Sequence, residues 1–132
     1  MDLYLIIGIF LAVDLLLVVY ILYRRSVKKF SQSDLGFFAA EWGKIRQQGD
    51  GKHALMDADK LLNVVLKKKG YAGGVGEQLK KAGKLFTNVN DVWDAHKLRN
   101  RIAHELGIHL NHADRDRALR SFEKALKDLG AL

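Results

Sequence analysis

Between Ala95 and Glu105 the chain reads AHKLRNRIAHE, which sets two imidazoles, two guanidiniums and a carboxamide along one expected helix. These groups handle protons and anions: an imidazole titrates near neutral pH, and a guanidinium offers a planar fork that matches an oxyanion. At about 100° per residue, Val92, Ala95, Arg99, Ile102, Ala103 and Leu106 fall on one side of that helix, the side expected to face a core. Arg99 therefore lies inside an apolar stripe, where its charge must be paired, snorkel out along its stem or line a cleft. Trp93, His96, Asn100 and His104 form the adjoining stripe. His104 stands about 140° around the helix from Arg99, so the two converge only if the long arginine reaches across, the helix end deforms, or a second copy supplies the partner.

Other chemistries fit the residues less well. His104, Glu105, His109 and His112 could be read as metal ligands, but no H-E-x-x-H spacing is present and two of these histidines fall in an expected loop and helix cap. No metal and no cofactor is expected. The chain has no Cys, which excludes disulfides, thiolate zinc sites and cysteine nucleophiles. Gly70 to Gly76 (GYAGGVG) is glycine-rich beside lysines, yet it matches neither phosphate-loop spacing and follows no strand, so it reads as a plain flexible connector.

The elements that would position the motif are helices. Pro is absent from the 132 residues, and no alternating strand pattern competes. Ser33 can cap a helix over 34–48, with Leu35, Phe38, Trp42 and Ile45 at helical spacing. After a Gly49-Asp50-Gly51 turn, a second covers 53–69 with Leu55, Ala58, Leu62, Val65 and Leu66 inward, Lys67 to Lys69 complementing its dipole and Gly70 closing it. A third spans 77–86. Asn90 can cap the motif helix over 91–106, which Gly107 ends, and Asn111 can cap a last helix over 112–129 with a clear apolar stripe. The expected fold class is all-α: a small antiparallel bundle of about five helices over residues 34–132.

In front of the bundle, Leu3 to Tyr23 carries a single charge, Asp14, and is long enough to cross a hydrocarbon core as a helix. It has no basic region before it and no small-x-small site after it, which favours a transmembrane span over residues 1–23 rather than a cleaved signal. Tyr4, Tyr20 and Tyr23 sit where interfacial aromatics are expected. Asp14, near mid-span, is either protonated or partnered, a helix contact within an oligomer being the functional reading and a tolerated polar residue the plain one. A basic connector over 24–33 follows, with Arg24, Arg25, Lys28 and Lys29; by the positive-inside rule the C-terminal domain is cytoplasmic, at the cell membrane, in a single-pass arrangement. All 22 Lys and Arg lie from Arg24 onward against 13 acidic residues, a net of +9 that favours nucleic acid or an anionic membrane surface as partner.

Arg99-Asn100-Arg101-Ile102-Ala103-His104 resembles the R-x4-6-H signature of the HEPN superfamily, including the polar residue after the arginine, and the flanking Ala95 to Leu98 and Glu105 resemble many prokaryotic members. The resemblance covers the soluble part in helix count and motif placement. It implies a helical bundle that homodimerises so that paired motifs line one cleft, and a metal-independent endoribonuclease in which a 2′-hydroxyl attacks the adjacent phosphate. In that reading His104 is the general base or acid, Arg99 stabilises charge on the phosphoryl oxygens, Asn100 orients the imidazole or contacts phosphate, and His96 and Arg101 contact substrate RNA. Leu106 stands where members regulated by nucleotidylation carry a Tyr, so that regulation is not carried over. The alternative is a non-catalytic membrane-tethered module binding RNA, nucleotide or a protein, with Arg99 paired to Asp59 or Glu41 and His104 merely favourable to the helix dipole. Arg99 buried against a carboxylate, with His104 alone in solvent, counts against catalysis.

Overall fold

Three helices begin at a small polar residue whose side chain accepts a backbone N–H, with an aspartate three positions on. Ser31 accepts from Asp34, Asn88 accepts from Asn90 with Asp91 in the first turn, and Asn111 accepts from Asp114. Each cap satisfies an orphan donor, and the aspartate complements the helix dipole. Asp50 starts a fourth helix in the same way, accepting from both Lys52 and His53.

The computed structural model describes residues 2–27 and 29–132, without the side chains of 25–27. Of the expected basic cluster, Lys28 and the Arg25 side chain lie outside the described residues. The element order is α1 (Leu3–Val27), α2 (Gln32–Gln47), α3 (Gly51–Lys68), α4 (Val75–Ala82), a 3-10 turn (Gly83–Leu85), α5 (Val89–His104) and α6 (His112–Asp128). The protein is all-helical, one long apolar helix followed by a helical bundle, as the periodicity predicts.

α1 is long and apolar enough to cross a membrane, and none of its apolar stretch is buried within the protein. Asp14, near its middle, makes no hydrogen bond or ion pair among the described residues.

In the bundle α3 is central, packing against α2, α4, α5 and α6. Phe38, Leu55, Leu62, Leu66, Leu79, Phe122 and Leu126 are fully or almost fully buried there. α3 and α6 both end in a glycine with positive φ, Gly70 and Gly130, and the following residue bonds back to the last turn, Tyr71 to the Leu66 carbonyl and Ala131 to that of Leu126. This glycine cap satisfies orphan carbonyls while the next side chain packs inward, and both Tyr71 and Ala131 are buried.

Several expectations shift. α2 is capped by Ser31 rather than Ser33, and α5 by Asn88 rather than Asn90, so both helices begin two residues earlier. The third helix stops at Ala82 and tightens into the 3-10 turn. The glycine-rich segment is not a loose connector: Asn63 donates to the Gly73 carbonyl at 3.1 Å, and the fully buried Gln78 donates to the Tyr71 carbonyl at 2.9 Å. The connector between α1 and the bundle is also shorter than expected, because α1 runs to Val27 and Phe30 already packs on the core, edge-on to Phe38 at 5.1 Å and beneath the Lys69 ammonium at 5.2 Å.

Candidate functional site

The core stripe of α3 contains one residue out of character, Asp59, only 4% exposed between the fully buried Ala58 and Leu62. The core stripe of α5 contains its complement. Where α5 crosses α3, Asp59 meets His96 and Arg99, and each oddity explains the other: a buried carboxylate requires donors, and a guanidinium in an apolar stripe requires an anion. The His96 Nδ1 lies 2.7 Å from one carboxylate oxygen and the Arg99 Nε 3.4 Å from the other.

Asn100 closes a ring of contacts. Its Oδ1 accepts from the Arg99 Nη1 at 3.0 Å, and its Nδ2 stands 3.2 Å from the His96 Nε2. The donors and acceptors dictate one consistent assignment. The carboxylate can only accept, so His96 donates through Nδ1, and its Nε2 is then the lone pair that takes the Asn100 amide proton. The cycle leaves every member oriented. Arg99 is held by two partners, although its Nε, within ion-pair distance of Asp59, is buried without an aligned hydrogen bond. The Arg99 side chain keeps 22% of its surface exposed, so the outer edge of the guanidinium reaches solvent. Trp93 covers one side of the ring system, its indole edge-on to His96 at 6.1 Å.

His104 is elsewhere. It is the last residue of α5, exposed, and makes no hydrogen bond or ion pair among the described residues. Arg101 is also exposed and pairs with Glu105 at 3.3 Å. Arg99 and Asn100 are thus brought together with His96, while His104 stays apart from Arg99 within one chain. His96, expected at a substrate surface, is buried and serves the interior ring. The core side of α5 is Val92, Ala95 and His96; Ala103 and Leu106 do not continue it, because the helix ends at His104 and Leu106 stands wholly in solvent beyond it.

The grooves of the bundle lie away from this ring. One of about 230 Å³ between α5 and α6 takes in Arg101 and Arg117, but Asp91, Asp94 and Asp114 balance them. Another, of about 450 Å³, is lined by Gly49 to Lys52, His109, His112 and Arg115. Among the described residues no three His, Cys, Asp or Glu side chains are grouped to hold a metal ion.

Sequence reasoning named Asp59 only as a partner for Arg99. The bond to His96 was missed, and the readable signal was polarity: Asp59 interrupts the apolar stripe of α3 just as Arg99 interrupts that of α5. No family model, curated protein or solved structure matches the chain.

Proposed function

We propose that this chain is a single-pass membrane protein that holds a HEPN-like helical module in the cytoplasm, and that the module binds RNA without cleaving it as a single chain. The observation that carries the non-catalytic reading is the division of the motif. Arg99 is committed to Asp59 and Asn100, while His104 faces solvent without a partner. A nuclease needs both groups at one phosphate. The net +9 from Arg24 onward supports RNA as the partner. Lys97, Arg101 and His104, spaced four and three residues apart, share an exposed face of α5 on which a phosphate backbone would lie.

The test is binding of a labelled single-stranded RNA to the full chain in detergent micelles over a salt series. Exchanging Lys97 and Arg101 for Gln is expected to weaken binding and to flatten the salt dependence by about 0.7 per lost phosphate contact. Unchanged affinity in that double variant, or no binding at low salt, sinks the reading.

One observation favours a second reading, the metal-independent endoribonuclease. The unpartnered imidazole of His104 stands one turn beyond Asn100, next to the fully exposed Leu106, so a second copy covering that apolar tip would bring one chain's His104 to the other's Arg99. Incubation with RNA in chelator decides it. Cleavage by the wild type that His104→Ala abolishes establishes this reading, whereas cleavage in both or in neither ends it.

A further inference from the structure

The membrane-facing end of the bundle carries an apolar and basic surface that nothing in the bundle covers. α2 and α3 run antiparallel, so the start of α2 lies beside the end of α3, where the Lys68 ammonium meets the Asp34 carboxylate at 2.7 Å. One turn further in, Phe37 is 52% exposed and Val64 is 38% exposed, and they line a groove of about 370 Å³ between the two helices. On α3, Lys60, Val64, Lys67 and Lys68 follow the spacing of one helix face. Counted with Lys29, Lys44 and the Lys69 that caps the Phe30 ring, this region holds six lysines against Asp34, Glu41 and Asp57, a net of +3, with Lys44, Lys60 and Lys68 each within ion-pair distance of one of the acids.

The tether fixes where that surface sits. The apolar part of α1 ends at Arg24, helix continues to Val27, and Phe30 is already packed against Phe38 and Lys69. Three helical steps of about 1.5 Å and three further residues, which can span no more than about 3.5 Å each, limit the distance from the membrane exit to the docked Phe30 to roughly 15 Å. The opposite end of α3, 18 residues long, lies about 27 Å further away.

We infer that this end of the bundle docks on the anionic phospholipid surface of the membrane that α1 crosses, with Phe37 and Val64 entering the headgroup boundary and Lys60, Lys67 and Lys68 meeting lipid phosphates. The inference rests on the membrane-spanning reading of α1. Short reach makes the effective concentration of that surface high, so a modest patch suffices. The lysine stems lie along the surface while their ammonium groups reach the phosphates. The partner is lipid rather than protein because the chain itself delivers it.

The absence of native Cys allows a single environment-sensitive fluorophore to be placed in the full chain. Val64→Cys, or Phe37→Cys in a separate preparation, is labelled and reconstituted into vesicles of phosphatidylcholine with or without phosphatidylglycerol. His109→Cys, in the loop beside Gly49 to Lys52 at the far end, is the control. Expected is a blue shift, with quenching by lipid-borne spin labels, at 64 and 37 in anionic vesicles, absent at 109 and weak in neutral vesicles. Lys60→Gln and Lys67→Gln each lower the docked fraction ratio by about fivefold. No shift at 64 and 37 in a chain that resists alkaline carbonate extraction overturns docking and leaves the anchor standing. Release by carbonate overturns the anchor and the docking with it. Equal shifts at 64 and 109 overturn the orientation and so the proposed surface.

Discussion

The two halves of the motif on α5 are built by opposite rules. His96, Arg99 and Asn100 sit where α5 crosses α3, closed around Asp59, with donor and acceptor assigned at nearly every contact. One turn on, Arg101, Ala103, His104 and Leu106 have left the core, and the one side-chain pairing they make among the described residues is the exposed pair of Arg101 with Glu105. A short stretch of sequence therefore contains a structural half and a surface half. The residue types are alike in both; only the neighbour across the helix differs. Where α3 offers a carboxylate, the polar groups turn inward and become architecture. Where the side chains are exposed and meet no such carboxylate from α3, they remain available to a ligand.

The largest effect should come from removing the shared anion. Asp59→Ala leaves a guanidinium and an imidazole facing each other in a buried site, and a broken buried pair of this kind costs about 3–5 kcal/mol. Urea unfolding of the full chain in micelles measures it, and a loss below about 1 kcal/mol would show that the ring is not structural. Asn100→Ala removes the acceptor for Arg99 and the donor to His96 while sparing the ion pair, so about 1–2 kcal/mol is expected in the same assay. Asn100→Asp sharpens this result. The carboxylate can still accept from Arg99 but has no proton to give the His96 Nε2, so that contact is lost unless the ring takes up a proton and donates instead, and a shift of the His96 ring resonances in NMR is expected.

How much of this was legible in the sequence depends on which kind of signal each feature leaves. The helices left a period, and the apolar stripes of α3 and α6 placed the core. Helix ends were ambiguous because Ser31 and Ser33, and Asn88 and Asn90, are equally good caps by type. Ser31 and Asn88 stand three residues before Asp34 and Asp91, the spacing that lets a first-turn carboxylate complement the cap, and that pattern could have decided it. The pinned glycine loop was illegible, since Gln78 acts on the main-chain carbonyl of Tyr71, a partner with no side-chain identity. Arg99 was seen to need an anion, but whether that anion is Asp59, Glu41 or a phosphate depends on the packing of α3 against α5. Glu41 is instead taken by Lys44 at 2.9 Å.

The exposed pairs test the same contrast at lower stakes. The Asp34 carboxyl is held below its ordinary value, first by the hydrogen bond from Lys68 and then by the Ser31 cap, against some desolvation. Its folded value is depressed, so its contribution is present above the unfolded carboxylate value and is lost as the pH falls through the lowered one. Lys68→Gln should remove part of that acid-side dependence and leave neutral-pH stability little changed, as expected of a pair on the surface. Thermal melts at pH 3 and pH 7 compare the two. A large loss at pH 7 would mean that this pair, like the Asp59 ring, is architectural.

His104→Ala should have the smallest effect on folding, because the side chain is exposed and touches nothing that the fold uses. A change within about 0.5 kcal/mol is expected. That small value gives the variant its use. Asp59→Ala confounds any functional readout by loosening the bundle, and Asn100→Ala does so in part, whereas a loss of RNA binding or cleavage in His104→Ala belongs to the surface half of the motif alone. If His104→Ala instead unfolds the chain, the end of α5 is packed in solution against something absent from the single bundle, and a second copy resting on Leu106 is the first partner to test by sedimentation.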